Sequence, residues 1–229
     1  MNDSQWNNQS QAYPQESVQS FIQRVYQWMA AGLALTGWVA LWASGNMAVM
    51  KALSGGALFI LMLAELGLVF WLSAFVTRIS PMAAVVGFCV YSALNGLTLS
   101  FIFLIYTGAS IASTFFITAG TFAAVSVFGW VTKSDLSSMG GFFMMGLIGI
   151  ILGSVVNFFF QSPVLYWILT YAGLAVFIGL TAYDTQRLKE IHQSGTAATD
   201  QLAILGALRL YLDFINMFLL LLRLFGRKR

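Results

Sequence analysis

The chain has 229 residues, of which 59% are hydrophobic and only 8% are charged. A soluble globular domain carries about a quarter charged residues, so this inventory cannot supply a water-soluble surface. The composition excludes a soluble enzyme and predicts an all-α integral membrane protein. The net charge of +3 does not indicate a nucleic-acid partner, because the basic residues are scattered between apolar stretches.

The first twenty residues are rich in Gln, Asn and Ser and lack the basic region, apolar core and cleavage site of a secretory signal. We interpret residues 1–20 as a disordered polar tail and residues 21–229 as one transmembrane domain. The single cysteine, Cys89, lies in an apolar run, which excludes a disulfide framework and a cysteine-based zinc site.

Long stretches without Asp, Glu, Lys or Arg predict membrane-spanning helices, since about 20 apolar residues cross the hydrocarbon core. The breaks between them are turn-like, as at Ser44-Gly45-Asn46, or contain proline, as at Gln161-Ser162-Pro163. The seven predicted segments cover approximately residues 22–43, 57–76, 82–105, 111–131, 139–160, 164–183 and 202–225.

The distribution of basic residues predicts a cytoplasmic N-terminus. In that orientation the outside loops carry only Lys51, whereas the inside loops carry Arg24, Arg78, Lys133, Arg187 and Lys189. Seven spans would then place the basic residues 227–229 outside, against the positive-inside rule. Either the last segment is re-entrant or the C-terminus is an exception.

Four charged residues lie within hydrocarbon-length segments: Glu65, Asp184, Arg209 and Asp213. A charge at mid-bilayer costs roughly 2.5 to 3.5 kcal/mol on insertion scales, so each needs a structural or functional reason. On the last segment, helical spacing aligns a polar stripe consisting of Gly206, Arg209, Asp213, Asn216 and Arg223. We therefore expect the last helix to lie centrally, with this stripe facing protein.

Asp184 and Asp213 are placed symmetrically about the loop between the last two segments, so an antiparallel hairpin brings them to equal depth. Two carboxylates about 4 Å apart repel by roughly 4 kcal/mol at an effective dielectric near 20. We hypothesise that the pair shares one proton near neutral pH and titrates as a unit. The alternative is internal neutralisation, in which Asp213 pairs with Arg209 and Asp184 with Arg187.

Glu65 is surrounded by apolar residues in the second segment, and an intramembrane carboxylate is a candidate for a cation or proton pathway. The sequence contains no phosphate-binding glycine loop, HExxH zinc motif or GxSxG nucleophile motif. We therefore expect neither enzymatic activity nor a cofactor.

The stretches TAYDTQRLKEI, ALRLYLDFINMFLLLLRLFG and ELGLVF resemble the Bax inhibitor-1 family, in particular its bacterial branch, and the resemblance extends over essentially the whole chain after residue 20. It implies seven transmembrane helices, with two three-helix units, six helices in all, surrounding a central C-terminal helix. It also implies a multi-pass protein of the bacterial inner membrane.

The resemblance further implies a pH-sensitive calcium leak channel gated by an aspartate pair, which falls on Asp184 and Asp213, while Glu65 matches the family's acidic residue in the second helix. These three carboxylates are the expected transient calcium ligands, since calcium prefers oxygen. Deprotonation is expected to change the contact between the aspartates and to release a helix that plugs the path. Calcium/proton exchange is an equally open alternative.

In the family's calcium-leak members, an arginine eleven residues beyond the glutamate can latch the aspartate pair, and this position is Val76 here. Arg78 is the nearest candidate on that helix but lies about 200° around it, which favours a role in topology. Arg209, on the last helix, is the other candidate for the ion path or latch.

A second class of function is regulatory binding. Bacterial relatives look like modulators or substrates of a membrane-anchored AAA+ quality-control protease, and the tail of residues 1–20 would suit such an interaction. The expected partners are therefore the lipid bilayer, calcium and protons, with the protease as an alternative partner and no nucleic acid.

Overall fold

A computed structural model describes residues 17–193 and 200–229, and short connections join their helices. In chain order the helices are α1 (Val18–Ser44), α2 (Met47–Leu53), α3 (Gly56–Phe75), α4 (Pro81–Leu99), α5 (Ile102–Ile105), α6 (Gly108–Val131), α7 (Ser137–Phe160), α8 (Pro163–Gln193) and α9 (Asp200–Phe225). Within the described residues, β pairing is limited to one isolated antiparallel bridge between Tyr106 and Lys228.

Six of the described helical segments are long and apolar enough to cross a membrane, with α4 and α5 counted together. The number reaches seven if α1 and α2, which are bent by 100° relative to each other, form one span. The predicted all-α, multi-span architecture is confirmed.

The first predicted break, at residues 44–46, is confirmed and is followed by a helix that the sequence did not predict. Gly45 ends α1, and the Asn46 side chain accepts hydrogen bonds from the backbone N–H groups of Ala48 and Val49 at the start of α2. The seven residues of α2 are too few to show a helical period. Helix α1 begins at Val18, so residues 18–20 of the predicted tail are helical, whereas residues 1–16 lie outside the described residues.

Helix α8 extends ten residues beyond its predicted end at residue 183. The polar extension is held by the α6–α7 connection: the Gln186 amide accepts from the Leu136 N–H (2.8 Å) and donates to the Ser134 carbonyl (2.9 Å). Lys189 also donates to the Trp130 carbonyl at the end of α6. Charge content marks where apolar sequence ends, but it does not mark where the helix ends.

The helices form two three-helix units around α9. Helices α1 and α3 pack on α4, helices α6 and α7 pack on α8, and α9 lies between the units in contact with α1, α4, α6 and α8. Most of α9 is buried. The predicted central position of the last helix is thus confirmed, and it removes Asp213 from lipid.

Glycines allow the close helix contacts, which matter in a bilayer because the hydrophobic effect does not drive helices together there. Gly96 of α4 lies against the α1 backbone at Thr36, and Gly153 of α7 lies against Leu169 of α8. Gly149, which forms a GxxxG pattern with Gly153, faces open space. The two glycines therefore do not share one helix contact.

Gly129 is at the tightest contact between α6 and α8, because an added Cβ would meet the backbone carbonyl of Ala182. We expect Gly129→Ala to lower the free energy of unfolding by about 1–3 kcal/mol, since backbone cannot move aside cheaply. Gly120, on the same helix, has open space around its Cα, so Gly120→Ala is the matched control. Thermal unfolding in detergent tests this, and equal melting temperatures for the two variants would contradict it.

Helix α9 crosses the whole bundle. At its start Asp200 forms an ion pair with Arg24 near the beginning of α1 (2.5 Å). Beyond its end, the backbone carbonyl of Arg227 accepts a hydrogen bond from the Thr107 N–H, and the Arg229 N–H donates to the Ile105 carbonyl, both at 3.0 Å. A re-entrant last segment is therefore excluded, and the C-terminus lies at the opposite end of the bundle from Val18.

Candidate functional site

A cavity of about 780 Å³ follows α9 on the side that faces α3, α7 and α8. Four members of the predicted polar stripe line it: Arg209, Asp213, Asn216 and Arg223. Gly206, the fifth member, packs instead against Leu188 and Val25. The predicted alignment of the four polar side chains is confirmed. The face that they form lines the cavity and is not packed against another helix.

Asp213 is the most buried acidic side chain along this cavity, with 5% of its surface exposed. Its Oδ2 atom has no hydrogen-bond partner among the described residues. Asp184 of α8 lines the same cavity and interacts electrostatically with Asp213. Because an unsatisfied buried carboxylate oxygen is costly, this site is suited to accept a proton or a cation.

Arg209 connects the two last helices through Asp184, with 3.9 Å between the guanidinium and the carboxylate. The side chains are 36% and 13% exposed. At an effective dielectric near 20 such a pair attracts by about 4 kcal/mol, and the partial exposure of Arg209 reduces this value through solvent screening. The ion pair therefore ties α9 to α8 beside Asp213.

The observed contacts differ from the alternative in which Arg209 neutralises Asp213 and Arg187 neutralises Asp184. Arg187 donates a hydrogen bond to the Tyr183 hydroxyl (2.8 Å) and lies over that ring, and Arg209 pairs with Asp184 instead of Asp213. No ion pair within 4 Å involves Asp213 in the described part of the chain. Among the described residues, the guanidinium of Arg209 thus neutralises Asp184 and leaves Asp213 without an ion pair.

A smaller cavity of about 30 Å³, enough for roughly one or two water molecules, lies towards the α8–α9 connection. Asp184, Arg187 and Arg209 line both this cavity and the large one. Apolar side chains, including Phe21 and Leu205, form much of its remaining wall. The Arg209–Asp184 ion pair therefore borders both spaces.

Glu65 lies elsewhere, in a polar cluster between α3, α4, α9 and α1. Its carboxylate accepts hydrogen bonds from Asn95 (3.3 Å) and Thr98. The Tyr211 hydroxyl donates to the other end of the Asn95 amide (3.0 Å) and lies 2.7 Å from the Thr36 hydroxyl. Apart from the half-buried Thr98, the side chains of this cluster are buried, and they supply the hydrogen bonds of Glu65 internally.

The structure separates Glu65 from the two aspartates with which it was expected to supply transient calcium ligands. Glu65 does not line the large cavity, and the described residues contain no group of three or more His, Cys, Asp or Glu side chains that could hold a metal ion. The physical reason is that Glu65 faces α4, where Asn95 and Thr98 supply hydrogen bonds. Sequence reasoning missed Tyr211, although its position two residues before Asp213 already places it on the opposite side of α9.

Replacing Tyr211 with Phe tests this cluster. We expect Tyr211→Phe to lower the free energy of unfolding by about 1–3 kcal/mol, because the Asn95 carbonyl loses its donor in a buried site. Tyr171→Phe is the matched control, since the Tyr171 side chain is exposed at the start of α8. Melting temperatures in detergent measure the difference, and a Tyr211→Phe variant as stable as the control would argue against the cluster.

The structure does not bring Arg78 to the cavity. Arg78 lies exposed in the turn between α3 and α4, and Val76, at the position of the family's latch arginine, is buried in the core with 1% exposure. Of the arginines named from the sequence as latch candidates, only Arg209 contacts an aspartate of the pair. The contact with Asp184 thus comes from the same helix as Asp213.

Residues 18–229 match the family model described as inhibitor of apoptosis-promoting Bax1. The chain belongs to the Bax inhibitor-1 family. Inner membrane protein YbhL of Escherichia coli (strain K12) is 51% identical over 222 residues, which cover 94% of this chain and 95% of YbhL.

Relatives of similar length occur in other bacteria as well. A Deinococcus radiodurans protein is 44% identical over 91% of both chains. A Borreliella burgdorferi protein is 41% identical over 91% of this chain and 92% of its own length. The Bax inhibitor-1 match covers all nine helices described above, including both helices that carry the aspartates.

Proposed function

We propose that this Bax inhibitor-1 family protein is a pH-sensitive calcium leak channel whose path follows the cavity along α9. The observation that carries the proposal is the buried Asp213 carboxylate, whose Oδ2 atom has no hydrogen-bond partner among the described residues and which lines, with Asp184, a cavity of about 780 Å³. Structural carboxylates are normally satisfied, so an unsatisfied one facing a cavity favours ion or proton handling.

The proposed gate is the junction at Arg209 and Asp184. While one of the two aspartates is protonated, Arg209 holds Asp184 and closes the passage between the large and the small cavity. When both carboxylates are ionised they repel each other, α9 moves relative to α8, and the passage opens. Flux therefore rises with pH in this mechanism.

The proposed ion is calcium, because the path offers hard oxygen ligands and calcium binds six to eight oxygens in flexible geometry. Asp184 and Asp213 supply carboxylates, and Asn216 lies one turn from Asp213 on the same wall. Water would complete the coordination, which suits passage better than permanent binding. The path needs no cofactor and no catalytic residue.

We further propose that the protein resides in the bacterial inner membrane with its N-terminus in the cytoplasm. The name of the Escherichia coli relative supports the location. The loops between helices support the orientation, since those at the Arg24 end carry most of the loop cations. Because α9 crosses the whole bundle, the basic residues 227–229 are the exception to the rule.

The proposal is tested with purified protein in liposomes that enclose a calcium-sensitive dye. We expect calcium flux above that of protein-free liposomes, and we expect it to be greater at about pH 8 than at about pH 6. Absence of flux at any pH would overturn the channel and favour the regulatory interaction with a membrane-anchored protease. A calcium flux that is driven by an imposed proton gradient would instead indicate exchange.

A further inference from the structure

The large cavity has apolar rims formed by two helices that do not pack on each other. Helix α3 packs on α4, and α7 packs on α8. Leu66 and Val69 of α3 form one rim, and Ile150 and Ile151 of α7 form the other. None of the 24 residues of α7 is buried, so this helix presents an apolar surface to its surroundings. In a bilayer, the surroundings of the rims are lipid.

The part of the cavity between Asp213 and Arg223 has the length of one lipid leaflet. Ten residues of helix separate the two side chains, which corresponds to about 15 Å. The hydrocarbon core of a bilayer is about 30 Å thick, so half of it matches this distance. The walls here are mainly apolar and include Leu169, Leu219 and Leu220.

Arg223 marks the headgroup end of this half-cavity. Its guanidinium lies over the Tyr166 ring, 5.3 Å from the centroid, and Trp167 follows at the start of α8. Tyr and Trp are enriched at the level of lipid headgroups. Arg223 therefore sits where a lipid phosphate would lie, with Asp213 near the middle of the bilayer.

The charge at this end of the bundle is positive and uncompensated. Five basic residues lie there: Lys51, Arg223, Arg227, Lys228 and Arg229. In the described ranges, every Asp and Glu side chain lies at mid-bundle or at the opposite end, and Arg223 forms no ion pair within 4 Å. These basic residues lie at the headgroup end of the half-cavity, whose walls are apolar. This combination of positive charge and apolar wall complements an anionic lipid.

We propose that the half-cavity between Asp213 and Arg223 is a binding site for one anionic phospholipid. Its phosphate pairs with Arg223, and one acyl chain enters between α3 and α7 and ends near Asp213. The chain fills the cavity on that side of the aspartates, so a bound lipid closes the proposed ion path there and must leave before an ion passes. The site requires only the geometry of the cavity, so it exists whether or not the protein conducts calcium.

The test is native mass spectrometry of the purified full-length protein titrated with phosphatidylglycerol or with phosphatidylcholine of the same acyl chains. We expect tighter retention of phosphatidylglycerol, and Arg223→Gln should weaken it about fivefold. Lys51→Gln is the control, because Lys51 is a basic residue at the same end but outside the cavity. Arg223→Lys keeps the charge and should retain most of the binding.

A second pair of variants tests whether an acyl chain occupies the half-cavity. Ser154 lines the half-cavity and is exposed, so Ser154→Trp should block the acyl chain and reduce retention, whereas Val156→Trp, on the same helix outside the cavity, should not. Equal retention of the two lipids, equal effects of Arg223→Gln and Lys51→Gln, or equal effects of the two tryptophan variants would each overturn the proposal.

Discussion

Replacing Asp213 with Asn is expected to remove most of the pH dependence of calcium flux. The substitution keeps the shape of the side chain but prevents the second negative charge from appearing beside Asp184. Without that repulsion, which is roughly 4 kcal/mol for charges about 4 Å apart at an effective dielectric near 20, the Arg209 contact stays closed at all pH values. We expect flux at about pH 8 to fall at least tenfold, to the level at about pH 6.

The measurement is dye-reported calcium entry into liposomes for wild type, Asp213→Asn and Asp184→Asn at matched protein density. Asp135→Asn is the control, because Asp135 is an exposed acid in the α6–α7 connection, outside the cavity. A wild-type pH profile in Asp213→Asn would show that the aspartate pair does not gate the path.

Replacing Arg209 with Gln is expected to have the opposite effect. The variant loses the contact that ties α9 to α8 at the proposed junction between the two cavities. We expect its flux at about pH 6 to rise to the level that wild type reaches at about pH 8, an increase of about tenfold if the contact is worth about 1.4 kcal/mol after solvent screening. Arg209→Lys keeps one cation and should lie between the two.

The same liposome assay compares Arg209→Gln with Lys133→Gln, in which a basic residue is lost from the connection after α6, away from the cavity. Flux at about pH 6 that stays at the wild-type level in Arg209→Gln would show that Arg209 is not the latch. Combining Arg209→Gln with Asp213→Asn separates the two roles, since an open junction should no longer depend on the aspartate charge.

The two opposite expectations follow from one geometrical fact, which is that Arg209 and Asp213 lie one turn apart on α9 while Asp184 lies across on α8. The sequence already aligned Arg209 and Asp213 on one face. It did not reveal which aspartate Arg209 contacts, because the choice depends on how the two helices are rotated against each other. The family pattern pointed to the second helix for a latch, where this chain has the buried Val76.

The sequence also could not predict which residues contact Glu65. Its apolar sequence neighbours indicate that placing the Glu65 carboxylate in lipid costs free energy. The sequence does not show whether water in a path or hydrogen-bond donors from another helix offset that cost. Asn95 and Thr98 lie about thirty residues further along the chain, and only the packing of α3 on α4 brings them to Glu65. The structure also links Asn95 to Tyr211, which no sequence spacing connects.

By itself, the sequence determined the helical membrane class, the places where the spans break and the central position of the last helix. These properties follow from local chemistry: the free energy of placing charges in hydrocarbon, the missing amide of proline and the 3.6-residue period. Only the tertiary structure decided the Arg209–Asp184 contact, the separation of Glu65 from the aspartates, the helical extension of α8 and the slot between α3 and α7. Each of these depends on the rotation and spacing of helices that are distant in sequence, and helix periodicity carries no information about either.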